Sequence, residues 1–401
     1  MFINGQMKIL QIHNYYKTPG GECSVVRAEK KLLELHGHEV RLFSRDSREI
    51  DGYSTTGKIS ALLRIPYNLK IKQELSALLS ELRPDVAHVH NVFPLLSPSI
   101  YDALSAGNIP TVQTVHNFRF LCPNGLMFIH GKICEQCQTK NLFSSVKNRC
   151  MHDSIPVSAL YAMALWNAQR TGNFPGNIDR FIALNHFVAD KLKKAGIAPN
   201  RISILGNYIE HYSNSPIAKK RYIVYLGRLS SEKGILTLLS AMDRVRNVTL
   251  KVAGTGPLEP ALKNFAESHA LENVEFLGFV DGSNKLKLIS EALCTVVPSE
   301  WYENFPISVL ESLALGTPVI ASRIGGLPEM IEHGVTGLIF TPGDVEELAE
   351  SISKLVGVRG ESDNMDWEAI NAAHSRFGPD NHVKGLTDIY REIVATKSIG
   401  S

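Results

Sequence analysis

The chain has 401 residues, 44% apolar and 20% charged, which excludes a disordered or fibrous protein. About 400 residues is more than one hydrophobic core usually organises, so two domains are expected. The longest uninterrupted apolar run, residues 159–166, is far short of the ~20 residues of a membrane-spanning helix. The residues Met1-Phe2-Ile3-Asn4-Gly5 carry neither a basic nor an extended apolar leader, so the expected compartment is the cytosol. There the six cysteines should be mostly reduced. The formal net charge of +2 conceals an asymmetry: residues 1–205 hold 24 basic and 15 acidic side chains, residues 206–401 hold 18 and 25. A basic half suits nucleic acid, an anionic lipid surface or a phosphorylated substrate; charge scattered over a solvated surface is the plain alternative.

In chain order, Met7-Lys8-Ile9-Leu10-Gln11-Ile12 reads as a strand, followed by Pro19-Gly20-Gly21 and a helical stripe of Val25, Val26, Ala28, Leu32, Leu33 and Leu35. Strands are predicted at residues 39–43, 85–90, 111–116 and 180–184. The pattern restarts at Tyr222-Ile223-Val224-Tyr225-Leu226, which runs into Gly227-Arg228, Gly234 and a second helical stripe. Further strands are expected at residues 248–253, 274–277, 293–298 and 318–321. Strand, glycine turn and helix, repeated, predict α/β architecture: two Rossmann-like doubly wound domains facing a central cleft. The expected boundaries are 1–205 for the first domain, 206–375 for the second, and 376–401 for a terminal helix. The linker falls near residues 206–218, where Asn, Ser and Pro cluster. Residues 118–150 break the alternation with Cys, Pro, Asn, Gly and Lys, and read as an insertion. An apolar helix at residues 154–170 follows it.

The segment Pro298-Ser299-Glu300-Trp301-Tyr302-Glu303-Asn304-Phe305-Pro306-Ile307-Ser308-Val309-Leu310-Glu311 is the most informative. It predicts a strand end, a loop, and a helix with Pro306 as its first residue. The amides of Ser308 and Val309 then fall in the first turn, where a phosphate is favoured. Glu303 before the helix and Glu311 within it are acceptors suited to sugar hydroxyls. Two glutamates eight apart arise often by chance, but other blocks accompany this pair. These are Gly227-Arg228-Leu229 with Lys233-Gly234, Ala253-Gly254-Thr255-Gly256-Pro257, Gly316-Thr317-Pro318, Gly325-Gly326-Leu327-Pro328-Glu329 and Gly334-Val335-Thr336-Gly337.

Together these blocks, in this order, resemble the donor-binding half of glycosyltransferase family 4, retaining enzymes of GT-B fold. The resemblance implies that Arg228 and Lys233 neutralise the donor diphosphate. It implies that Glu311 holds the ribose hydroxyls, and that Glu303 with Asn304, Phe305 and Pro306 holds the transferred sugar. Gly254 would allow close backbone approach near the nucleotide. The resemblance also implies that the terminal helix, 376–401, can cross back to the first domain. In the first half, Pro19-Gly20-Gly21 matches the family's glycine loop, so Gly20 and Gly21 would approach the diphosphate. His116, trailed by Asn117, stands where the family usually shows a His-Asp or similar pair touching the donor sugar; a structural histidine is the other reading, and the one favoured for His13. No Asp-x-Asp pair occurs, in agreement with metal-independent leaving-group stabilisation by cations and helix N-termini. No carboxylate stands out as a double-displacement nucleophile, so front-face attack is the expected route to retention.

Cys122, Cys134, Cys137 and Cys150 fall within the insertion. A Cys-x2-Cys knuckle with two flanking cysteines can wrap a tetrahedral structural zinc; free thiols and disulfides are the alternatives. Cys23 and Cys294 read as buried apolar residues. Lys132, Lys140, Lys147 and Arg149 beside the apolar helix suit an anionic leaflet or a lipid-diphosphate acceptor, or else the helix is core. Residues 58–72, apolar with Lys58, Arg64, Lys70 and Lys72, are a second such surface. The expected function is hexosyl transfer from a nucleotide sugar, UDP- or GDP-linked, to a glycan or lipid-linked glycan acceptor. No cofactor is expected to be needed for catalysis, and the protein is expected to be cytoplasmic or peripheral at the inner membrane face. A non-catalytic nucleotide-sugar-binding protein is the alternative. With no helix-turn-helix or RNA-binding aromatic motif, no nucleic-acid partner is expected.

Overall fold

The computed structural model describes residues 5–17, 20–139, 141–210, 213, 215–358 and 364–399. Pro19 of the glycine loop, Lys140 of the insertion and residues 211, 212 and 214 of the linker lie outside the described residues. The chain divides into two compact units, one of Met1–Ile129, Cys134–Gly206 and His382–Ser401, the other of His130–Ile133 and Asn207–Asn381.

Along the first half run β1 (Lys8–Tyr15), α1 (Gly21–Leu35), β2 (Glu39–Asp46), α2 (Thr55–Leu63), α3 (Leu69–Leu82), β3 (Val86–Asn91), α4 (Ser99–Ala106) and β4 (Thr111–Val115). The insertion holds β5 (Phe128–Ile129), β6 (Lys132–Ile133), α5 (Gln136–Thr139) and α6 (Ser144–Lys147). Then come α7 (Ile155–Arg170), β7 (Arg180–Ala183), α8 (His186–Lys194) and β8 (Ile202–Ile204). Six strands form one sheet in the order β2-β1-β3-β4-β7-β8, all pairs parallel. β3 and β4 are buried at every position, as strands covered on both faces must be. Polar residues inside them therefore need partners, and Gln113 has several: it accepts from the Tyr101 hydroxyl and donates to the His90 carbonyl.

α7 starts where Ser154 accepts the Val157 N–H, an N-cap readable in the sequence. It buries Tyr161, Ala162, Ala164, Leu165 and Ala168 but leaves Ile155, Met163 and Trp166 exposed, so it is a core helix with an apolar outer edge. The stretch 58–72 is not one element. α2 ends at Leu63 and α3 begins at Leu69, with the Asn68 side chain accepting the Ile71 N–H. Pro66 lies between them and lacks the N–H a continuous helix requires. No residue of α2 is buried.

The second half runs through β9 (Tyr222–Leu226), α9 (Ile235–Met242), β10 (Thr249–Ala253), α10 (Glu259–Ser268), β11 (Val274–Gly278), α11 (Gly282–Ser290), β12 (Thr295–Val297) and α12 (Ile307–Ala314). β13 (Val319–Ser322), α13 (Leu327–Met330), β14 (Gly337–Phe340), α14 (Val345–Val358), α15 (Asn364–Phe377) and α16 (Pro379–Ile399) complete it. Its sheet order is β11-β10-β9-β12-β13-β14, the dinucleotide-fold order. The first sheet differs: it reverses between β1 and β3, with one strand rather than two beyond the reversal. From His382 onward α16 belongs to the first unit, where Lys397 Nζ lies 2.9 Å from Asp179 Oδ2.

Candidate functional site

In an open α/β sheet, ligands bind beyond the carboxyl ends of the strands where the order reverses. In the second unit that point lies between β9 and β12, whose ends carry Gly227-Arg228 and the segment from Pro298 to Glu303. Arg228 is exposed, and no described side chain pairs with its guanidinium; its carbonyl accepts the Tyr225 hydroxyl at 2.8 Å. Lys233 differs from Arg228 in having partners. Its Nζ lies 2.7 Å from Glu303 Oε1 and 4.9 Å from the centre of the Trp301 ring, a cation–π contact. Glu303 is 5% exposed and also accepts from Ser299 Oγ at 2.6 Å. Burial pushes its carboxyl up, but Lys233, Ser299 and Trp301 outweigh this and hold it below the usual value. Glu303 is thus ionised, buried and rigidly held.

Backbone contacts fix the loops around this pair. A Cβ on Gly325 would lie 2.3 Å from the Glu303 carbonyl oxygen, and Gly326 N–H donates to that oxygen at 2.7 Å. Gly254 has φ +150°, and a Cβ there would lie 1.8 Å from the Gly227 oxygen. The approach that requires glycine at 254 is therefore one between protein backbones, which sets the shape of the loop after β9. The helix after Glu303 begins one residue later than expected. Pro306 is extended, with ψ 125°, and serves as the N-cap, so α12 starts at Ile307. Val309 N–H already donates to the Pro306 carbonyl at 3.1 Å and its side chain is buried. Ser308 thus remains the better candidate of the two for an anion. Asn304 is buried, and Phe305 packs edge-on to Phe377 with ring centres 5.6 Å apart. Glu311 is paired with Lys285, Nζ to Oε1 2.5 Å. Lys285 carried no motif in the sequence; only the contact between α11 and α12 identifies it.

In the first unit, Gly20 caps α1 in extended conformation, φ −123° and ψ 179°, and a Cβ there would meet nothing within 4 Å. Among the described residues, neither strain nor packing requires glycine at 20. Gly21 is the first residue of α1. At the strand ends beside them lies a group missed in the sequence. Tyr16 Oη donates to Glu22 Oε2 at 3.0 Å and Asn117 Nδ2 to the same oxygen at 3.2 Å, while His13 Nδ1 lies 3.9 Å from Glu22 Oε1. Burial pushes the Glu22 carboxyl up to about 7 against the opposing Tyr16, Arg119 and Asn117 contacts. His116 Nε2 lies 3.0 Å from His90 Nδ1; burial, then His90, holds His116 well below its usual value, in the neutral form. His13 is held near 3 by burial.

The Glu22 shift predicts a pH dependence. Folded Glu22 keeps its proton up to about pH 7, whereas the unfolded side chain releases it near 4.5. Stability therefore falls as pH rises through that window, by roughly 3 kcal/mol in total. Glu22→Gln is expected to remove most of this slope, measured as urea midpoints from pH 5 to pH 8.

Cys122, Cys134, Cys137 and Cys150 are unbridged thiols that share one neighbourhood. A hydrogen bond from Cys137 lowers Cys122, and the Cys122 contact, burial and the charges of Cys150 and Cys134 raise Cys137. The Cys122 thiol donates to Asn124 Oδ1 at 3.0 Å and the Cys137 thiol to the Leu142 carbonyl at 3.7 Å. Among the described residues, the ligand atoms that converge within 4.8 Å are those of Glu29, His88 and His90 rather than these sulfurs. Cys23 and Cys294 are buried.

Two parallel-sheet α/β domains of this kind, with a Gly-Arg loop and the Lys233–Glu303 pair at the reversal point of the second, are those of the GT-B fold. A model of the Glycosyl transferases group 1 family matches residues 209–371, and one of Glycosyltransferase Family 4 matches residues 19–211. The chain belongs to glycosyltransferase family 4. It is 37% identical over 286 residues to a glycogen synthase of Mycobacterium tuberculosis, covering 68% of this chain and 60% of that protein. It is 32% identical over 176 residues to an uncharacterised glycosyltransferase of Methanocaldococcus jannaschii, covering 43% of this chain and 45% of that one. The chain thus spans about half the length of these curated relatives. The Anabaena HepE protein solved with UDP-glucose shares the fold, with TM-score 0.65, 22% identity, and 98% and 99% of the two chains covered. Among the described residues, no helix is long and apolar enough to cross a membrane.

Proposed function

We propose that this protein is a retaining glycosyltransferase that moves a hexosyl group from a UDP- or GDP-sugar to a glycan or lipid-linked glycan acceptor. The observation that carries the reading is the buried, ionised Glu303 held by Lys233 beside the exposed Arg228. A fixed carboxylate suits sugar hydroxyls, and an exposed guanidinium with no protein partner among the described residues suits a departing diphosphate. Glu311 would take the ribose, with the Ser308 amide at the start of α12. Charge on the leaving phosphate would be met by Arg228, Lys233 and the helix end, without a metal in the reaction. The acceptor hydroxyl would attack from the face the phosphate leaves, passing its proton to that phosphate while the C1–O bond breaks. The neutral His116 would contact the donor sugar from the first unit, and Gly20 and Gly21 the diphosphate. HepE, whose structure holds UDP-glucose, supports the donor class.

Turnover of UDP- and GDP-hexoses with lipid-linked glycan acceptors, with the product anomer read by NMR, tests this reading. An α-donor should yield an α-linked product, and no product should form with Glu303→Gln. Donor binding without turnover across the acceptor panel would favour a nucleotide-sugar-binding protein; an inverted product would remove retention. The four cysteines are read as a structural zinc knuckle. Wild-type protein is then expected to carry one more equivalent of zinc than a Cys134→Ser/Cys137→Ser variant, with a lower melting temperature in the variant. The exposed apolar edges of α2 and α7, beside Lys58, Arg64 and Arg170, are read as the side that rests on an anionic inner leaflet from the cytoplasm.

A further inference from the structure

We propose that Glu29, His88 and His90 form a buried site for a divalent metal of the zinc type in the first unit. His88 and His90 stand two apart on β3, so both leave the same face of the strand, and α1 brings Glu29 to that face. Glu29 Oε1 is 3.0 Å from His88 Nδ1 and 3.4 Å from His90 Nε2, and the three residues each offer a ligand atom within 4.8 Å of the other two. Ligands bonded to one ion at about 2.0–2.1 Å in a tetrahedron stand about 3.3 Å apart along each edge. His90 Nε2 is buried and makes no well-aligned hydrogen bond among the described residues, which leaves its lone pair open to an ion beside Glu29.

The outward nitrogens of both rings are held. His88 Nε2 lies 2.7 Å from Thr114 Oγ1, and His90 Nδ1 lies 3.0 Å from His116 Nε2. Metal-bound imidazoles are commonly oriented in this way through the second nitrogen. Gln11 Nε2 donates to Glu29 Oε1 at 2.8 Å, while the Tyr390 hydroxyl lies 2.7 Å from His88 Nδ1 and His382 Nε2 lies 3.3 Å from Glu29 Oε2. Against its burial, the Glu29 carboxylate is held low by the histidines around it. An ion on His88 Nδ1 takes the place of the Tyr390 hydrogen bond there and, as a cation, neutralises that carboxylate in their stead. Two imidazoles and one carboxylate suit zinc better than magnesium or calcium, which take oxygen ligands. The three ligands are at most 3% exposed, so the ion is structural and meets no substrate. With His90 Nε2 on the metal, its proton sits on Nδ1 and is donated to His116 Nε2. The ion thereby fixes the tautomer of His116, a consequence that rests on the donor-contact reading of that residue.

The test counts metal rather than product, so it stands apart from the transfer reaction. Wild-type protein and the Cys134→Ser/Cys137→Ser variant are stripped with a chelator, dialysed against Zn(II) or Co(II), and assayed for metal per chain. The cysteine variant is expected to retain about one equivalent, to lose it on further Glu29→Gln or His90→Gln substitution, and to show cobalt bands without thiolate-to-cobalt charge transfer. A folded cysteine variant, by circular dichroism, that takes up no metal overturns the proposal. If that variant does not fold, wild-type protein decides: cobalt held only by thiolates overturns it, and an added equivalent bound by nitrogen and oxygen supports it.

Discussion

Lys233→Ala is expected to cost about 3 kcal/mol of stability and to abolish donor binding. Glu303 is 5% exposed, and removing one partner of a buried pair strands the other as an uncompensated charge, at about 3–5 kcal/mol. The lower end applies because Ser299 still donates to Glu303 and Lys233 itself is 23% exposed at its side chain. The double variant Lys233→Ala/Glu303→Gln removes the stranded charge, so stability should largely return while donor binding stays lost. Urea melts of the three proteins, with nucleotide titrations, separate the two effects. The sign of the pH dependence follows from the same pair. Folded Glu303 lies below its ordinary value, so its contribution is complete above about pH 4.5 and fades as pH falls through the folded value. In Lys233→Ala that acid limb should move to higher pH.

Gly254→Ala is the second large effect. Its Cβ would stand 1.8 Å from the Gly227 oxygen, at φ +150°, so the backbone after β9 or β10 must move. Gly254 N–H also donates to the Gly278 carbonyl at 2.7 Å, which ties the end of β10 to that of β11 and resists the shift. A loss of several kcal/mol is expected, together with displaced Gly227-Arg228 and weaker nucleotide affinity. Gly20→Ala is the contrast: with extended backbone and open space around it, it should melt like wild type, and any loss of nucleotide affinity would mark a ligand approach.

The two α/β domains were legible because parallel strands covered on both faces leave near-continuous apolar runs, such as Tyr222–Leu226, each closed by a glycine turn. β8 and β14 were missed. Both are short edge strands, of three and four residues, too brief for a pattern to stand out. The loop carrying Glu303 was legible from its neighbouring glycine blocks, whereas its tie to Lys233 spans 70 residues and no local period records it. Glu22 was hidden for the same reason: Asn117, which holds it, is 95 residues away. The pair His88-x-His90 did leave a signal, two histidines on one face of an otherwise apolar strand. Their partner Glu29 sits on a different element, α1, within a helix that reads as ordinary amphipathic surface.

The most direct measurement is a calorimetric titration of UDP, GDP and ADP into the purified protein and into Glu311→Ala and Arg228→Ala. Selective binding of UDP or GDP, weakened by ten-fold or more in both variants, about 1.4 kcal/mol each, is the predicted result. Equal affinity for all three nucleotides in wild type and variants, or no binding to any of them by folded protein, would contradict the donor site in the second unit.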